Sequence, residues 1–105
     1  MIIIETPIFT KLIAEIMSDD EYKDLQNALI NRPDIGMIIK NSGGLRKVRW
    51  ALEGRGKSGG VRVVYYCMTA DEQLYMLLVY PTNKQENLTE AQTKALRYSV
   101  EGWSQ

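Results

Sequence analysis

The stretch VRVVYYCM at residues 61–68 decides the fold. Side chains of a β-strand point alternately to opposite faces of the sheet. Val61 and Val63 therefore share one face, while Arg62 and Tyr66 share the other. The stretch predicts a long strand that is apolar on one face and carries a base and an aromatic ring on the other.

Two further stretches, residues 45–50 and 74–80, have the composition of strands and flank this one in sequence. The turn at residues 69–73 is short enough for an antiparallel hairpin. Residues 2–4, three isoleucines, predict one more short strand. Together these segments indicate a small, mostly antiparallel sheet.

Helix signals flank the strands. Thr6 followed by Pro7 is typical of a helix N-cap with proline in the first turn. Residues 18–21 and 89–92, SDDE and TEAQ, match the capping-box pattern at the starts of two more helices. Pro33 excludes the α conformation at the preceding residue, so the second helix ends near residue 31. We expect an α+β domain in the order β-α-α-β-β-β-α, with an N-terminal helical hairpin and a C-terminal helix.

Length and composition narrow the function classes. The 105 residues suit a single domain over residues 1–105, and no apolar run is long enough to span a membrane. The N-terminus lacks the pattern of a secretion signal, so we expect a cytoplasmic protein without a membrane partner. With no histidine and only Cys67, a Cys/His zinc site and a Ser-His or Cys-His dyad are excluded. We expect no metal and no cofactor.

The formal net charge of zero is a sum over unlike segments. Residues 40–62 carry seven bases and one acid, a net charge of +6, whereas residues 1–39 and 63–105 are net acidic. Such a local patch can attract a polyanion although the whole chain is neutral. This local charge is equally compatible with a phosphate-binding surface and with a strand face that is only solvated.

The glycine-rich segment within this patch, GRGKSGG at residues 54–60, is not a P-loop. Its spacing is wrong, and it leads into a strand rather than a helix. A base on a strand and tyrosines nearby could contact nucleic acid. On strands, however, aromatic side chains more often pack in the core.

Four pieces of the chain in this order resemble the RelE/ParE superfamily of bacterial toxins, and its HigB branch in particular. They are GGLRKVR at 43–49, GRGKSGG at 54–60, VRVVYY at 61–66, and YPTNK at 80–84 followed by Leu88 and Thr89. The resemblance covers essentially the whole chain. It implies a ribosome-dependent endoribonuclease that cleaves translated mRNA in the A site without a metal. The mRNA 2′-hydroxyl would attack the adjacent phosphate.

The resemblance also assigns roles. Arg62 matches the arginine on the scissile phosphate, Arg55 and Lys57 match the basic loop residues, and Tyr80 completes the catalytic set. Lys57 is expected to transfer a proton, since nearby positive charge lowers the pKa of a lysine. Contacts to mRNA and ribosomal RNA are expected from Arg46, Lys47, Arg49, Tyr66 and Lys84.

The chain departs from the family pattern after Tyr80. Relatives often carry Y-x-K-N-E, but here Thr82 stands at the lysine and Lys84 at the glutamate. A ParE-like toxin that acts on DNA gyrase, or an inactive antitoxin-binding subunit, is the alternative. The expected partners are the ribosome with its mRNA and a cognate antitoxin of helix-turn-helix type, with DNA bound only through the toxin-antitoxin complex.

Overall fold

The computed structural model describes residues 1–52, 60–85 and 87–103. Over these residues the chain forms one mixed sheet and three α-helices. The helices are α1 Pro7–Ile16, α2 Asp19–Asn31 and α3 Glu90–Trp103. The strands are β1 Ile2–Glu5, β2 Met37–Ile38, β3 Arg46–Trp50, β4 Val61–Met68 and β5 Gln73–Pro81. The α+β class is confirmed.

The strands lie in the order β1-β5-β4-β3-β2. Only β1 pairs parallel, with β5, and the other described pairs are antiparallel. The short edge strand β2 was not expected from the sequence, because two residues are too few to show a side-chain period. The remaining order agrees with the prediction.

The predicted helix starts are confirmed by their hydrogen bonds. The Phe9 amide donates to Thr6 Oγ1 at 3.1 Å. Both bonds of the capping box between Ser18 and Glu21 are present, and Thr89 exchanges the same pair of bonds with Gln92. Local sequence therefore determines where each helix begins.

The two faces of the sheet are covered differently. Helices α1 and α2 cover one face, which we call the hairpin face. Its core is formed by the buried side chains of both helices and of the sheet, among them Phe9, Ile13, Leu25, Leu29, Val63 and Tyr65. Helix α3 packs on the other face, the α3 face, whose buried cluster is Leu45, Val64, Leu77, Tyr80 and Val100.

A β-bulge in β5 changes which face its last residues occupy. Val64 pairs with Leu78 and the next residue, Tyr65, pairs with Met76, so Leu77 is the extra residue. Leu77 and Leu78 consequently both face α3, and Tyr80 follows them onto that face. The Thr6 hydroxyl donates to the carbonyl oxygen of Leu77 at 3.0 Å, so the start of α1 satisfies a polar group of the bulge. The bulge thus brings Tyr80 to the side of Arg62.

Candidate functional site

The candidate site is a row of three residues on the α3 face. Arg62 on β4 lies directly opposite Arg49 on β3 and Tyr80 on β5. Directly opposed residues on neighbouring strands have Cβ atoms about 4.5–5.5 Å apart. The row therefore places two basic residues and a phenol on adjacent strands at the same level of the sheet.

Two polar atoms in this row are buried without a partner. Arg62 Nε and the Tyr80 hydroxyl are both inaccessible to solvent, and neither has a hydrogen-bond partner among the residues that the structure describes. Tyr80 is only 8% exposed. An unsatisfied buried donor costs about 1–3 kcal/mol. Folded proteins pair most such groups, so two of them on adjacent strands mark this row as a candidate binding site.

The protonation state of Tyr80 follows from its surroundings. Burial raises the pKa of the Tyr80 hydroxyl, and the positive charge of Arg62 offsets part of that increase. The phenol is therefore protonated at neutral pH. Beside Arg62 it acts as a hydrogen-bond donor rather than as a base.

Arg46 does not join this row, because it lies opposite Tyr65 and so belongs to the hairpin face. Its Nη1 donates to the carbonyl oxygens of Gly36 at 2.7 Å and Asp34 at 3.4 Å. The Tyr65 hydroxyl donates to the Pro33 carbonyl at 2.8 Å and accepts from the Gly36 amide at 2.8 Å. Arg46 and Tyr65 thus hold the segment that connects α2 to β2.

The other expected RNA contacts lie at different distances from Arg62. Lys47 is on the α3 face, two residues from Arg49, and its Nζ donates to Asn87 Oδ1 at 3.0 Å. Tyr66 is four residues from Arg62, about 13 Å along the strand. It is half-buried and packs in the α3-face cluster under Gly44, where an added Cβ would lie 3.2 Å from its ring. Lys84 is exposed in the turn after β5.

Thr82, which replaces the lysine of the family pattern, is occupied by the backbone. Its hydroxyl and its amide both donate to the Gly60 carbonyl oxygen, at 3.0 and 3.1 Å. The end of β5 is thereby tied to the residue that precedes β4. Arg55 and Lys57, two of the four expected catalytic residues, lie outside the described residues.

Sequence reasoning missed a second group of basic residues on the α3 side. A cavity of about 580 Å³ lies between α3, β3 and the segment after β2, and four bases line it: Lys40, Lys47, Lys94 and Arg97. Lys94 and Arg97 belong to the net acidic C-terminal segment. Their i,i+3 spacing indicates that the two bases lie on one side of a helix. It does not show that this side packs against the basic patch of residues 40–62.

Within residues 1–52, 60–85 and 87–103, no three His, Cys, Asp or Glu side chains come together in a way that could hold a metal ion. Among the described helices, none combines the length and the apolar character needed to cross a membrane.

Comparison with known proteins gives matches to a protein-family model and to solved structures. The protein-family model described as RelE toxin of RelE/RelB toxin-antitoxin system matches residues 4–104. A solved structure of the Escherichia coli toxin RelE, a double arginine-to-alanine mutant in its free state, superposes with a TM-score of 0.60 at 13% sequence identity. The match covers 94% of this chain and 95% of that one. At this identity the structural likeness concerns the fold.

Proposed function

The chain belongs to the RelE family of toxins from toxin-antitoxin systems, and from this premise we propose that it is a ribosome-dependent endoribonuclease that cleaves mRNA in the A site. The observation that carries the proposal is the Arg62 and Tyr80 pair, with its two buried donor atoms that lack described partners. A phosphodiester supplies the acceptor oxygens that these donors require. The resemblance to the HigB branch is part of the same proposal.

The proposed reaction needs no metal and no external water. The 2′-hydroxyl of one nucleotide loses its proton and attacks the adjacent phosphorus, and the bond to the 5′-oxygen of the next nucleotide breaks. The departing 5′-oxygen takes up a proton, so the products are a 2′,3′-cyclic phosphate and a 5′-hydroxyl. The protein then has three tasks: to align the two oxygens, to stabilise charge on the phosphate and to move two protons.

Arg62 is suited to the second task. A guanidinium group matches the oxygens of a phosphate and keeps its charge throughout the reaction. Its Nε is already removed from water, so little solvent has to be displaced when the pentavalent transition state forms. Arg49, directly opposite on β3, adds positive charge at the same place.

Tyr80 is suited to donate a hydrogen bond. Its hydroxyl is protonated at neutral pH and lies on the strand next to Arg62. We assign it to a phosphate oxygen or to the departing 5′-oxygen. Proton removal from the 2′-hydroxyl remains a prediction for Lys57, with Arg55 as a further phosphate contact.

The test is cleavage of mRNA on translating ribosomes, followed by primer extension. Wild-type protein should cut within the A-site codon. Arg62→Ala should lower the rate by about 10²–10³-fold, the usual cost of removing a charge-stabilising group. Arg32→Ala, an exposed arginine at the end of α2, is the matched control and should cleave like wild type.

Cleavage by Arg62→Ala at the wild-type rate would refute the assigned role of this arginine. Equal cleavage of free RNA and of ribosome-bound RNA would refute ribosome dependence. Intact mRNA in cells arrested by the wild-type protein would refute the ribonuclease itself.

The alternative, a ParE-like toxin acting on DNA gyrase or an inactive antitoxin-binding subunit, draws support from Thr82. Threonine is uncharged, so this position contributes no positive charge at the end of the last strand. Its hydroxyl is moreover already bonded to the Gly60 carbonyl oxygen. A supercoiling assay separates the possibilities. Cleaved DNA together with untouched mRNA would favour the gyrase toxin, and inactivity in both assays would favour the binding subunit.

The proposed partners follow from the same assignment. Ribosome action requires a cytoplasmic location, and a cognate antitoxin would neutralise the toxin by covering or displacing the basic α3 face with an acidic segment, or by blocking the ribosome sterically. DNA would be reached only through an antitoxin of helix-turn-helix type. Affinity of the toxin-antitoxin complex that does not change with ionic strength would contradict electrostatic masking.

A further inference from the structure

The cavity beside α3 has an unusual charge for a neutral chain. Of the residues that the structure describes, four bases and one acid, Glu90, line it, together with the apolar side chains of Ile39 and Leu88. The bases come from three different elements, the segment after β2, strand β3 and helix α3. Because like charges repel, their convergence on one cavity costs free energy that an anion would recover.

Contacts around Arg97 hold the wall of this cavity in place. Arg97 Nε donates to Glu101 at 2.8 Å, and Nη1 donates to the carbonyl oxygen of Asn41 at 3.4 Å. Gly43, at a φ of 75°, lies so close that an added Cβ would be 3.3 Å from the Arg97 side chain. Arg97 therefore fixes the segment after β2 against α3. Lys40 and Lys94, both exposed, supply the charge that is open to a ligand.

The cavity adjoins the row of Arg49, Arg62 and Tyr80. Lys47 lines the cavity and lies on the same sheet face as Arg49, two residues along β3. That separation corresponds to about 7 Å. Basic residues thus follow one another on this face from Arg62 through Arg49 to Lys47, which lines the cavity.

We infer that this cavity binds a second backbone phosphate of the RNA strand whose scissile phosphate lies at Arg62. The inference rests on the proposed function and adds a substrate-binding subsite to it. A single strand carries a phosphate at every nucleotide, so a strand laid along this track presents a further phosphate to the cavity. The apolar wall of Ile39 and Leu88 suits a ribose or a base beside that phosphate. An acidic peptide would meet the same positive charge, and the polyglutamate measurement below separates it from RNA.

The test measures binding of a 2′-O-methylated RNA octamer, which cannot be cleaved, by fluorescence anisotropy at several salt concentrations. The double variant Lys40→Glu/Lys94→Glu should bind at least about 10-fold more weakly than wild type at 0.1 M salt. Its salt dependence should fall by about 0.7 in log–log slope for each phosphate that the variant no longer neutralises. The matched control is Lys11→Glu/Lys23→Glu, which makes the same change of charge on exposed positions of α1 and α2.

Equal octamer affinity of the cavity variant and the control would overturn the inference, while cleavage on ribosomes would still decide the proposed function. An octamer that does not bind to wild type would overturn it as well. Loss of binding to a polyglutamate peptide, with octamer binding unchanged, would assign the cavity to a protein partner and refute the RNA subsite. If charge reversal disturbs folding, Lys40→Gln/Lys94→Gln serves in its place. This milder change should weaken octamer binding by a smaller factor.

Discussion

The hairpin face and the α3 face each bury a tyrosine on neighbouring strands of the sheet, and they treat its hydroxyl in opposite ways. Tyr65, on the hairpin face, is fully buried and its hydroxyl makes two hydrogen bonds, to Pro33 and Gly36. Tyr80, on the α3 face, is almost as buried, but its hydroxyl lacks a partner in the described part of the chain. The described residues thus satisfy the hydroxyl of Tyr65 but leave that of Tyr80 unpaired, as the proposed phosphate contact requires.

The difference in charge follows the same division. The hairpin face is filled by apolar side chains of α1 and α2, and its one strand arginine, Arg46, is bonded to backbone carbonyls. The α3 face carries Arg49 opposite Arg62 and continues into a basic cavity. The larger buried core and the proposed catalytic row therefore lie on opposite sides of a single sheet, and substitutions on the two sides should have different consequences.

The largest expected effect on stability is on the hairpin face. Phe9 is fully buried between α1 and the sheet, and its ring centroid lies 5.9 Å from that of Tyr22. Phe9→Ala should lower the free energy of unfolding by about 3–5 kcal/mol. Urea unfolding measures this loss. The control is Ile8→Ala, at the exposed neighbouring position, which should stay within about 0.5 kcal/mol of wild type. Equal losses would contradict the assigned core.

On the α3 face, the substitution should lower activity and leave stability intact. Arg62→Ala should lose about 10²–10³-fold in cleavage, equivalent to about 2.7–4 kcal/mol of transition-state stabilisation. Its free energy of unfolding should be unchanged or higher, because the substitution removes a buried group that has no partner among the described residues. A loss of stability as large as that of Phe9→Ala would show that Arg62 is a structural residue.

The two tyrosines provide the closest matched pair. Tyr65→Phe should cost about 1–3 kcal/mol, since it leaves the Gly36 amide and the Pro33 carbonyl without their partner. Tyr80→Phe should leave stability unchanged or raise it, while cleavage falls. Thermal and urea unfolding of both variants check this prediction, and the opposite ranking would remove the contrast between the faces.

A smaller effect is expected where α1 meets the bulge. Thr6→Val keeps the shape of the side chain but removes the hydroxyl that caps Phe9 and donates to Leu77. The free energy of unfolding should fall by about 0.5–2 kcal/mol. Thr10→Val, which removes an exposed hydroxyl of the same helix, serves as the control and should cost less.

The smallest effect concerns alkaline pH. Burial raises the pKa of the hydroxyl groups of Tyr22, Tyr65 and Tyr80, and the nearby Glu5 raises that of Tyr22 further. Because each folded-state pKa lies above the unfolded value of about 10, these groups contribute stability that is fully present below pH 10 and is lost as the pH rises beyond it. Tyr22→Phe should make this decline shallower. Tyr98→Phe, on the exposed side of α3, should not, and identical slopes for both variants would refute the linkage.

Much of the fold could be predicted because its signals are local. The caps at Thr6, Ser18 and Thr89 depend on residues three positions away, and alternation along residues 61–68 depends on nearest neighbours. The candidate site was predictable in part. Arg49 and Lys47 share a face of β3, as alternation implies. The pairing of β3 with β4 that puts them beside Arg62, and the contacts of Arg46 with the segment after α2, have no local signal.

The sequence by itself determined the helix starts, the three long strands and the face on which Arg62 lies, because these depend on hydrogen bonds and side-chain periods spanning a few residues. The tertiary structure decided which residues join Arg62. The bulge at Leu77 turns Tyr80 to the α3 face, and α3 packing brings Arg97 to Asn41 across 56 positions of sequence. Packing between distant segments leaves no periodic pattern in the sequence. The basic surface therefore extends beyond residues 40–62, the charged segment that first indicated it, to Lys94 and Arg97 on α3.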